Sequence, residues 1–256
     1  MAKKKKARTP PPPRRVQAPQ QRPGSRGRAG AAGPPLDLGM RHRAVLYGIS
    51  GAGIVALVVV VVIVALSGGG TSSAAVAKDM TTAGCSFKTV PGYVPPGQHT
   101  HVDSLTRKLP WNTNPPSNGQ HYPLWAVWGF YDQPVNPRRV VHNEEHGGVI
   151  LWWGSSVSQS TVAKLRAFYD EQPTGVFGTP YPSLGSKIAI TAWTGDPSHY
   201  QQNGYYGQGH IAICSAFTPA TKKAFTTFRN AYRGHGPEGI PLCDDEPGDS
   251  PTKSSC

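Results

Sequence analysis

The stretch VVHNEEHGGVILWW, residues 140–153, carries the clearest structural signal in the sequence. Its last five residues, Val149–Trp153, are β-branched, aliphatic or aromatic, which is typical of a buried strand. The diglycine before them indicates a turn. The pair Val140–Val141 at the start also favours extended structure. We therefore predict a strand–turn–strand unit over this stretch.

Outward from this unit, the sequence contains further strand patterns and two helical patterns. Ile188–Trp193 and His210–Ala216 are short and rich in β-branched and aromatic residues, so we predict strands. One helix is expected to begin after the capping residue Ser158. A second is expected after Thr218, where Pro219 suits the first helical position.

The N-terminal part of the chain has a different character. Residues 45–66 are 22 uncharged, mostly apolar residues, enough for a helix of roughly 33 Å that would cross a bilayer. The basic residues before this segment predict a cytoplasmic N-terminus and an extracytoplasmic C-terminal domain. The alternative is a signal peptide cleaved after Ala75-Val76-Ala77. The apolar run is longer than in signal peptides, which favours the uncleaved anchor.

These patterns together predict a single-pass protein of the cell membrane that contacts the lipid bilayer through one segment. The predicted fold class is α+β: a single small exported domain with short strands, two helices and long loops, preceded by one transmembrane helix. The predicted organisation is a disordered basic cytoplasmic tail (1–43), a transmembrane helix (45–66), a linker (67–84), an exported globular domain (85–243) and a disordered C-terminal tail (244–256).

The positive charge of the chain is concentrated at one end. The formal net charge is +12, and residues 1–43 contain 12 of the 26 Lys and Arg residues but only one acidic residue. The rest of the chain is close to neutral. Because a nucleic-acid-binding domain needs basic residues clustered on its folded surface, no nucleic-acid partner is expected.

The four cysteines suggest disulfides, since an exported domain folds in an oxidising compartment. Sequence alone does not select among the three possible full pairings. We predict a Cys85–Cys243 bond that closes nearly the whole domain, with Cys256 unpaired. No C-x-x-C motif occurs, so a thioredoxin-type redox site is not expected.

Histidines are concentrated in one part of the predicted domain. Five of the nine lie between His99 and His146. Imidazoles and carboxylates are common ligands of Zn and Cu(II), and the sequence lacks the methionines and C-x-x-C motif of Cu(I) sites. The predicted metal ligands are His99, His101, His121, His142, Glu145 and His146.

The choice of carboxylate depends on the local structure. In a strand, Glu144 would lie on the same face as His142 and His146 and would be the candidate ligand. In a helix, Glu145, three residues after His142, would be the candidate ligand. The string His142–His146 also matches the H-x-x-E-H pattern of one class of zinc proteases. That pattern requires a helix, so the predicted strand–turn–strand context argues against a protease.

Several segments resemble a known family. They read NPPSNGQHYPLWAVWGFYDQPV, then VVHNEEHGGVILWW, then TPYPSLGSKIAITAW. In this order they are similar to the domain-of-unknown-function family 3105, over about residues 95 to 193. Glu144 stands where that family usually has leucine, so the resemblance favours Glu145 as the ligand. The resemblance implies an exported, often membrane-anchored domain and brings no established activity.

Two classes of function follow from these patterns. The first is a membrane-anchored extracytoplasmic domain that binds metal through His and Glu or acts as a scaffold for an envelope partner or ligand. The alternative is a metal-dependent extracytoplasmic enzyme, hydrolytic or redox-active, which would need an open coordination position. The histidines would also suit a purely structural hydrogen-bonding role or metal-free acid–base catalysis.

Overall fold

A computed structural model of the protein describes residues 72–256. The predicted cytoplasmic tail (1–43) and the predicted transmembrane helix (45–66) lie outside the described residues. Within residues 72–256, no helix is long and apolar enough to cross a membrane. The longest helix there has 14 residues.

The described part contains one mixed sheet and four α-helices, so the predicted fold class is wrong in its number of helices. The predicted membrane-spanning helix and the predicted single-pass location are corrected to this extent: no helix of residues 72–256 could cross a membrane. In chain order the elements are α1 (Ser73–Thr82), β1 (Ser86–Pro91), α2 (Pro137–Glu145), β2 (Val149–Trp153), α3 (Gln159–Asp170), β3 (Val176–Pro180), β4 (Ile188–Thr194), β5 (Gln208–Cys214) and α4 (Pro219–Tyr232).

The strand order of the sheet is β1-β5-β4-β2-β3. The β2–β3 pair is parallel, whereas the other neighbours are antiparallel. Every residue of β2 is buried, because both faces of the sheet are covered. Val149 and Leu151 belong to a larger core formed with α1, α3 and α4. Ile150 and Trp152 belong to a smaller core on the opposite face, beside Val140 of α2.

Helix α1 lies in the segment predicted to be a linker. Ser72 caps it by accepting a hydrogen bond from the backbone N–H of Ala75. Val76 and Met80, one turn apart, are fully buried against the larger core. Small residues surround these two, so the apolar stripe is too narrow to be recognised in the sequence.

The cysteines pair as Cys85–Cys214 and Cys243–Cys256, so the predicted Cys85–Cys243 bond is wrong. The sheet register explains the first bond. Ser86 of β1 lies opposite Ile213 of β5, and the next position places Cys85 beside Cys214, with their Cα atoms 4.4 Å apart. The second bond closes the C-terminal segment into a loop, where the sequence predicts a disordered tail.

Candidate metal centre

The histidine-rich stretch is a helix, not the predicted strand–turn–strand unit. Asn136 caps α2 by accepting a hydrogen bond from the N–H of Arg138, and Pro137 occupies its first turn. The helix ends at Glu145. Its last turn presents His142 and Glu145, three residues apart, on one face.

Glu144 points away from this face into the sheet. It is fully buried and accepts a hydrogen bond from the hydroxyl of Thr191 on β4. Burial raises the pKa of its carboxyl group. Glu144 is therefore a core residue, and the helical alternative, which selects Glu145, describes the observed arrangement.

Two histidines reach the same place from loops. The segments around His101 and His121 pair over a short parallel bridge. The N–H of His121 donates to the Thr100 carbonyl at 2.9 Å, and the N–H of Val102 donates to the His121 carbonyl at 2.7 Å. This backbone pairing places the two imidazoles side by side, with ring centroids 4.9 Å apart.

The three imidazoles and one carboxylate converge on a single point. Glu145 Oε2 lies 2.8 Å from His121 Nε2, 3.6 Å from His101 Nε2 and 3.9 Å from His142 Nε2. The four ligand atoms all lie within 4.8 Å of one another. His121, His142 and Glu145 are buried, whereas the His101 side chain is 41% exposed. The arrangement is a buried cluster with one solvent-facing member.

Backbone carbonyls fix the orientation of the two buried imidazoles. His121 Nδ1 lies 2.8 Å from the Gly119 carbonyl oxygen, and His142 Nδ1 lies 3.0 Å from that of Tyr122. Because a carbonyl oxygen only accepts, each Nδ1 carries a proton and donates it. In the neutral ring, Nε2 then presents a lone pair towards Glu145. Metal-binding histidines are commonly held by this type of outer hydrogen bond.

At the centre of the cluster, His121 Nε2 and Glu145 Oε2 are buried 2.8 Å apart, and neither has a further partner within hydrogen-bond distance. Leaving a buried polar group unsatisfied costs about 1 to 3 kcal/mol, and native structures rarely tolerate it. In neutral His121 and ionised Glu145 both atoms are acceptors. A cation between them would satisfy both.

The electrostatics of the cluster favour a neutral His142 beside an ionised Glu145 carboxylate. Burial, followed by repulsion from His121, lowers the pKa of His142 to about 3. Burial acts against ionisation of Glu145, but positive charge on His121 and hydrogen bonding from His101 outweigh it and lower the carboxyl pKa. Hydrogen bonding to Glu145 raises the pKa of the more exposed His101.

The comparisons with known proteins identify the family. The family described as "Protein of unknown function (DUF3105)" matches residues 101–240, more than half of the chain. The chain belongs to the DUF3105 family. No curated protein and no solved structure matches it significantly. The matched range of this DUF3105 domain begins at His101 and includes the whole cluster.

One residue of the centre of the DUF3105 domain is not among the predicted ligands. The hydroxyl of Tyr200 donates to Glu145 Oε1, the carboxylate oxygen that faces away from the histidines. Burial and the neighbouring Glu145 raise the pKa of Tyr200, so the hydroxyl keeps its proton. Tyr200 is 55 residues from Glu145 in the chain and belongs to no motif, so the sequence contains no signal for it.

Two predicted ligands of the DUF3105 domain lie outside the four-residue cluster. His99 is exposed and lines a cleft of about 490 Å³ together with His101. His146 is buried, and its Nε2 lies 3.6 Å from Glu238 Oε2. The structure therefore brings together His101, His121, His142 and Glu145, leaves His99 outside this cluster, and places His146 beside His142 at the edge of it.

Proposed function

We propose that this DUF3105 domain binds a divalent metal ion through His101, His121, His142 and Glu145. The observation that carries the proposal is the convergence of three imidazole nitrogens on Glu145 Oε2. In a tetrahedral site with bonds near 2.1 Å, neighbouring ligand atoms are roughly 3.3 Å apart. The distances from Glu145 Oε2, between 2.8 and 3.9 Å, bracket that value.

The ligand chemistry supports zinc or Cu(II). Imidazole suits both ions, and a carboxylate completes many zinc sites. Thiolates, which would favour Cu(I) or iron–sulfur clusters, are absent from the centre because all four cysteines form disulfides. The metal would be held by one anionic and three neutral ligands.

A purely structural hydrogen-bonding role fits the contacts less well. Such a role would give each buried ring nitrogen a protein partner. Instead, the outer nitrogens of His121 and His142 bond to carbonyls, while the inner His121 Nε2 and Glu145 Oε2 face only each other, at 2.8 Å. Around a bound ion, the outer atoms of the ligands are expected to have hydrogen-bond partners, and the inner atoms are expected to be free to bind the ion.

The disulfides support maturation of the domain in an oxidising compartment. Both bonds join cysteines that belong to one folded unit, and no cysteine is free. Paired structural cysteines persist in secreted and other extracytoplasmic proteins and are rare in the reducing cytosol. This supports the proposal that the metal-binding domain acts outside the cytoplasm.

Metal analysis of the full-length chain, purified without a polyhistidine tag, tests the proposal. We expect at least one equivalent of bound zinc per chain after equilibration with zinc-buffered solution. The tightest-bound equivalent should be lost in Glu145→Gln, which keeps the side-chain shape and removes the charge. Glu171→Gln is the matched control, because Glu171 is half-exposed and pairs with Lys222 on the surface.

A measurement on the wild-type chain alone tests the proposal even if Glu145→Gln does not fold. Zinc should raise the free energy of unfolding of the wild-type chain by about 2.7 kcal/mol at a free concentration one hundred times Kd. Wild-type protein that contains no metal, and that gains no stability from zinc or Cu(II), would rule out the proposal.

A metal-dependent hydrolase is a second candidate function, favoured by two observations. His142 and Glu145 of the H-x-x-E-H string lie on one face of the last turn of a helix, the secondary structure that the motif requires, whereas His146 caps the helix and lies outside the first site. The exposed ligand His101 also lines the 490 Å³ cleft, which would give a substrate access to the ion. Acetohydroxamate should then change the visible spectrum of the Co(II)-substituted protein. An unchanged spectrum would indicate a closed site and exclude this function.

A further inference from the structure

His146 and Glu238 form a second group of potential ligands beside the first. His146 Nε2 lies 3.6 Å from Glu238 Oε2. One ligand atom from each of His142, His146 and Glu238 lies within 4.8 Å of the other two. His142 therefore belongs to both groups, and its ring centroid is 4.9 Å from that of His146.

The backbone holds Glu238 firmly against the end of α2. The N–H of Gly234 donates to the Gly147 carbonyl at 2.9 Å, and the N–H of Glu238 reaches the Glu145 carbonyl at 3.4 Å. Between them, Gly236 packs so closely that an added Cβ would lie 2.3 Å from the Glu145 carbonyl oxygen. This contact requires glycine and fixes the loop that carries Glu238.

A buried carboxylate stands behind His146. Asp245 is fully buried, and its Oδ1 lies 3.7 Å from His146 Nδ1. Neither carboxylate oxygen of Asp245 has a hydrogen-bond partner, nor does His146 Nδ1. A carboxylate facing the outer nitrogen of an imidazole is a common feature of zinc-binding histidines, because it increases the basicity of the ligand.

We propose that the domain has a second metal position, formed by His142, His146 and Glu238, and that its centre binds two ions. The proposal rests on the proposed function, since the first position is the one described above. A neutral imidazole Nε2 binds one ion, so His142 serves the first ion when it is alone and the second ion when both are present. Of the three histidines, His142 has the longest distance to Glu145 Oε2, 3.9 Å.

The fully loaded centre would then contain two triads of the same composition. The first consists of His101, His121 and Glu145, and the second of His142, His146 and Glu238. Two histidines and one carboxylate leave open coordination positions on each ion. Paired ions are a recurrent device for hydrolytic chemistry, in which both ions contact the reacting oxygens.

The second position has its own access to solvent. The Glu238 side chain is 27% exposed. His146 lines a cavity of about 370 Å³, with Trp125 and Ile240 on one side and the disulfide-closed C-terminal loop on the other. In the loaded centre each ion would then have two buried ligands and one partly exposed ligand, His101 for the first and Glu238 for the second.

Metal stoichiometry of the tag-free full-length chain tests the proposal, with zinc measured by titration and elemental analysis. We expect two equivalents for the wild type and one for Glu238→Gln. The surface variant Glu171→Gln should retain both. One equivalent in the wild type that Glu238→Gln does not change would overturn the second position and leave the first intact. Failure of the wild type to bind any zinc would overturn both.

Electron paramagnetic resonance of the wild-type chain gives an answer that does not depend on a variant. Cu(II) should give an isolated signal at one equivalent. The signal should broaden or weaken when the second equivalent enters, because His142 lies beside both positions and the two ions would be close enough for their spins to interact. Two independent signals that simply add would overturn the proposal.

Discussion

At the scale of single residues, the two oxygens of the Glu145 carboxylate have different partners. Oε2 faces the histidines, and Oε1 accepts a hydrogen bond from the Tyr200 hydroxyl. Tyr200 also packs edge-to-face on Trp193, which fixes the direction of the ring. Tyr200 is therefore a positioning residue, because it occupies one oxygen and directs the other towards the metal position.

Tyr200→Phe should weaken zinc binding by about 10- to 100-fold, the usual effect of losing an outer-shell partner. Competition with a chromophoric chelator measures this change in Kd. Tyr205→Phe is the matched control, because Tyr205 lies in the same loop and bonds to Asp196 instead of the centre. Equal zinc affinities for Tyr200→Phe and wild type would contradict the assigned role.

At the scale of elements, the sequence predicts the strongly patterned segments and misses the weakly patterned ones. Strand β2 and the helices capped by Ser158 and Thr218 are found as predicted. Strand β1 was missed because it lies at the sheet edge and is largely exposed, so it lacks an apolar run. Strand β3 was missed because its five residues include glycine and proline, which indicate a turn in a sequence.

The misassigned helix α2 shows why the centre was only partly predictable. Val140 and Val141 favour a strand, but both are fully buried in the helix, with Val140 in the smaller core against the sheet, and this burial outweighs their intrinsic preference. The start signal, Asn136-Pro137, was present in the sequence and was not used. Once the helix is recognised, the choice of Glu145 over Glu144 follows from the spacing of three residues from His142.

His210 on β5, which lies outside the metal centre, links several elements of the larger core. The ring nitrogens of His210 bond to the hydroxyls of Thr89 on β1 and Thr194 on β4, at 3.0 and 2.8 Å. Its ring stacks on Tyr232 of α4, with centroids 3.9 Å apart. No charged group faces it in these contacts, and burial lowers its pKa to about 4.

His210 should therefore make the fold sensitive to acid. The unfolded chain binds the proton near pH 6.5 and the folded chain near pH 4. The contribution of His210 to the free energy of unfolding has its full value above pH 6.5 and decreases as the pH falls towards 4. Between pH 7.5 and pH 5 this should remove about 2 kcal/mol from the free energy of unfolding.

Urea unfolding in the presence of a chelator measures this effect. His210→Gln should lose less stability than wild type between the two pH values, whatever its stability at neutral pH. His199→Gln, at an exposed position, should follow the wild type. Identical pH dependence in His210→Gln and wild type would show that His210 does not cause the effect.

At the scale of the whole molecule, the centre is assembled from segments that are distant in the chain. His101 and His121 come from loops, Glu145 from α2, and Tyr200 and Glu238 from two later loops. Composition and spacing therefore identified the residue types, but only the sheet and its connections decide which of them meet. His99 illustrates this limit: it lies two residues from His101 and stands outside the cluster.

The two disulfides should stabilise this assembly unequally, because they close loops of very different length. Cys85–Cys214 spans 129 residues of sequence and Cys243–Cys256 spans 13. Loop-closure entropy predicts that the longer bond contributes roughly 2 kcal/mol more, within a total of about 2 to 5 kcal/mol. Cys85 and Cys214 are also buried in the larger core, so their replacement by alanine adds a packing loss.

Urea unfolding of the two double-alanine variants, in metal-free buffer, tests this order. The variant lacking Cys85–Cys214 should lose more unfolding free energy, since its sheet edge is no longer tied to the core. The variant lacking Cys243–Cys256 should lose less, while its second metal position should weaken, because the freed loop forms one wall of the cavity beside His146. An equal or larger stability loss from the short loop would mean that the C-terminal segment, and not the sheet edge, limits unfolding of the domain.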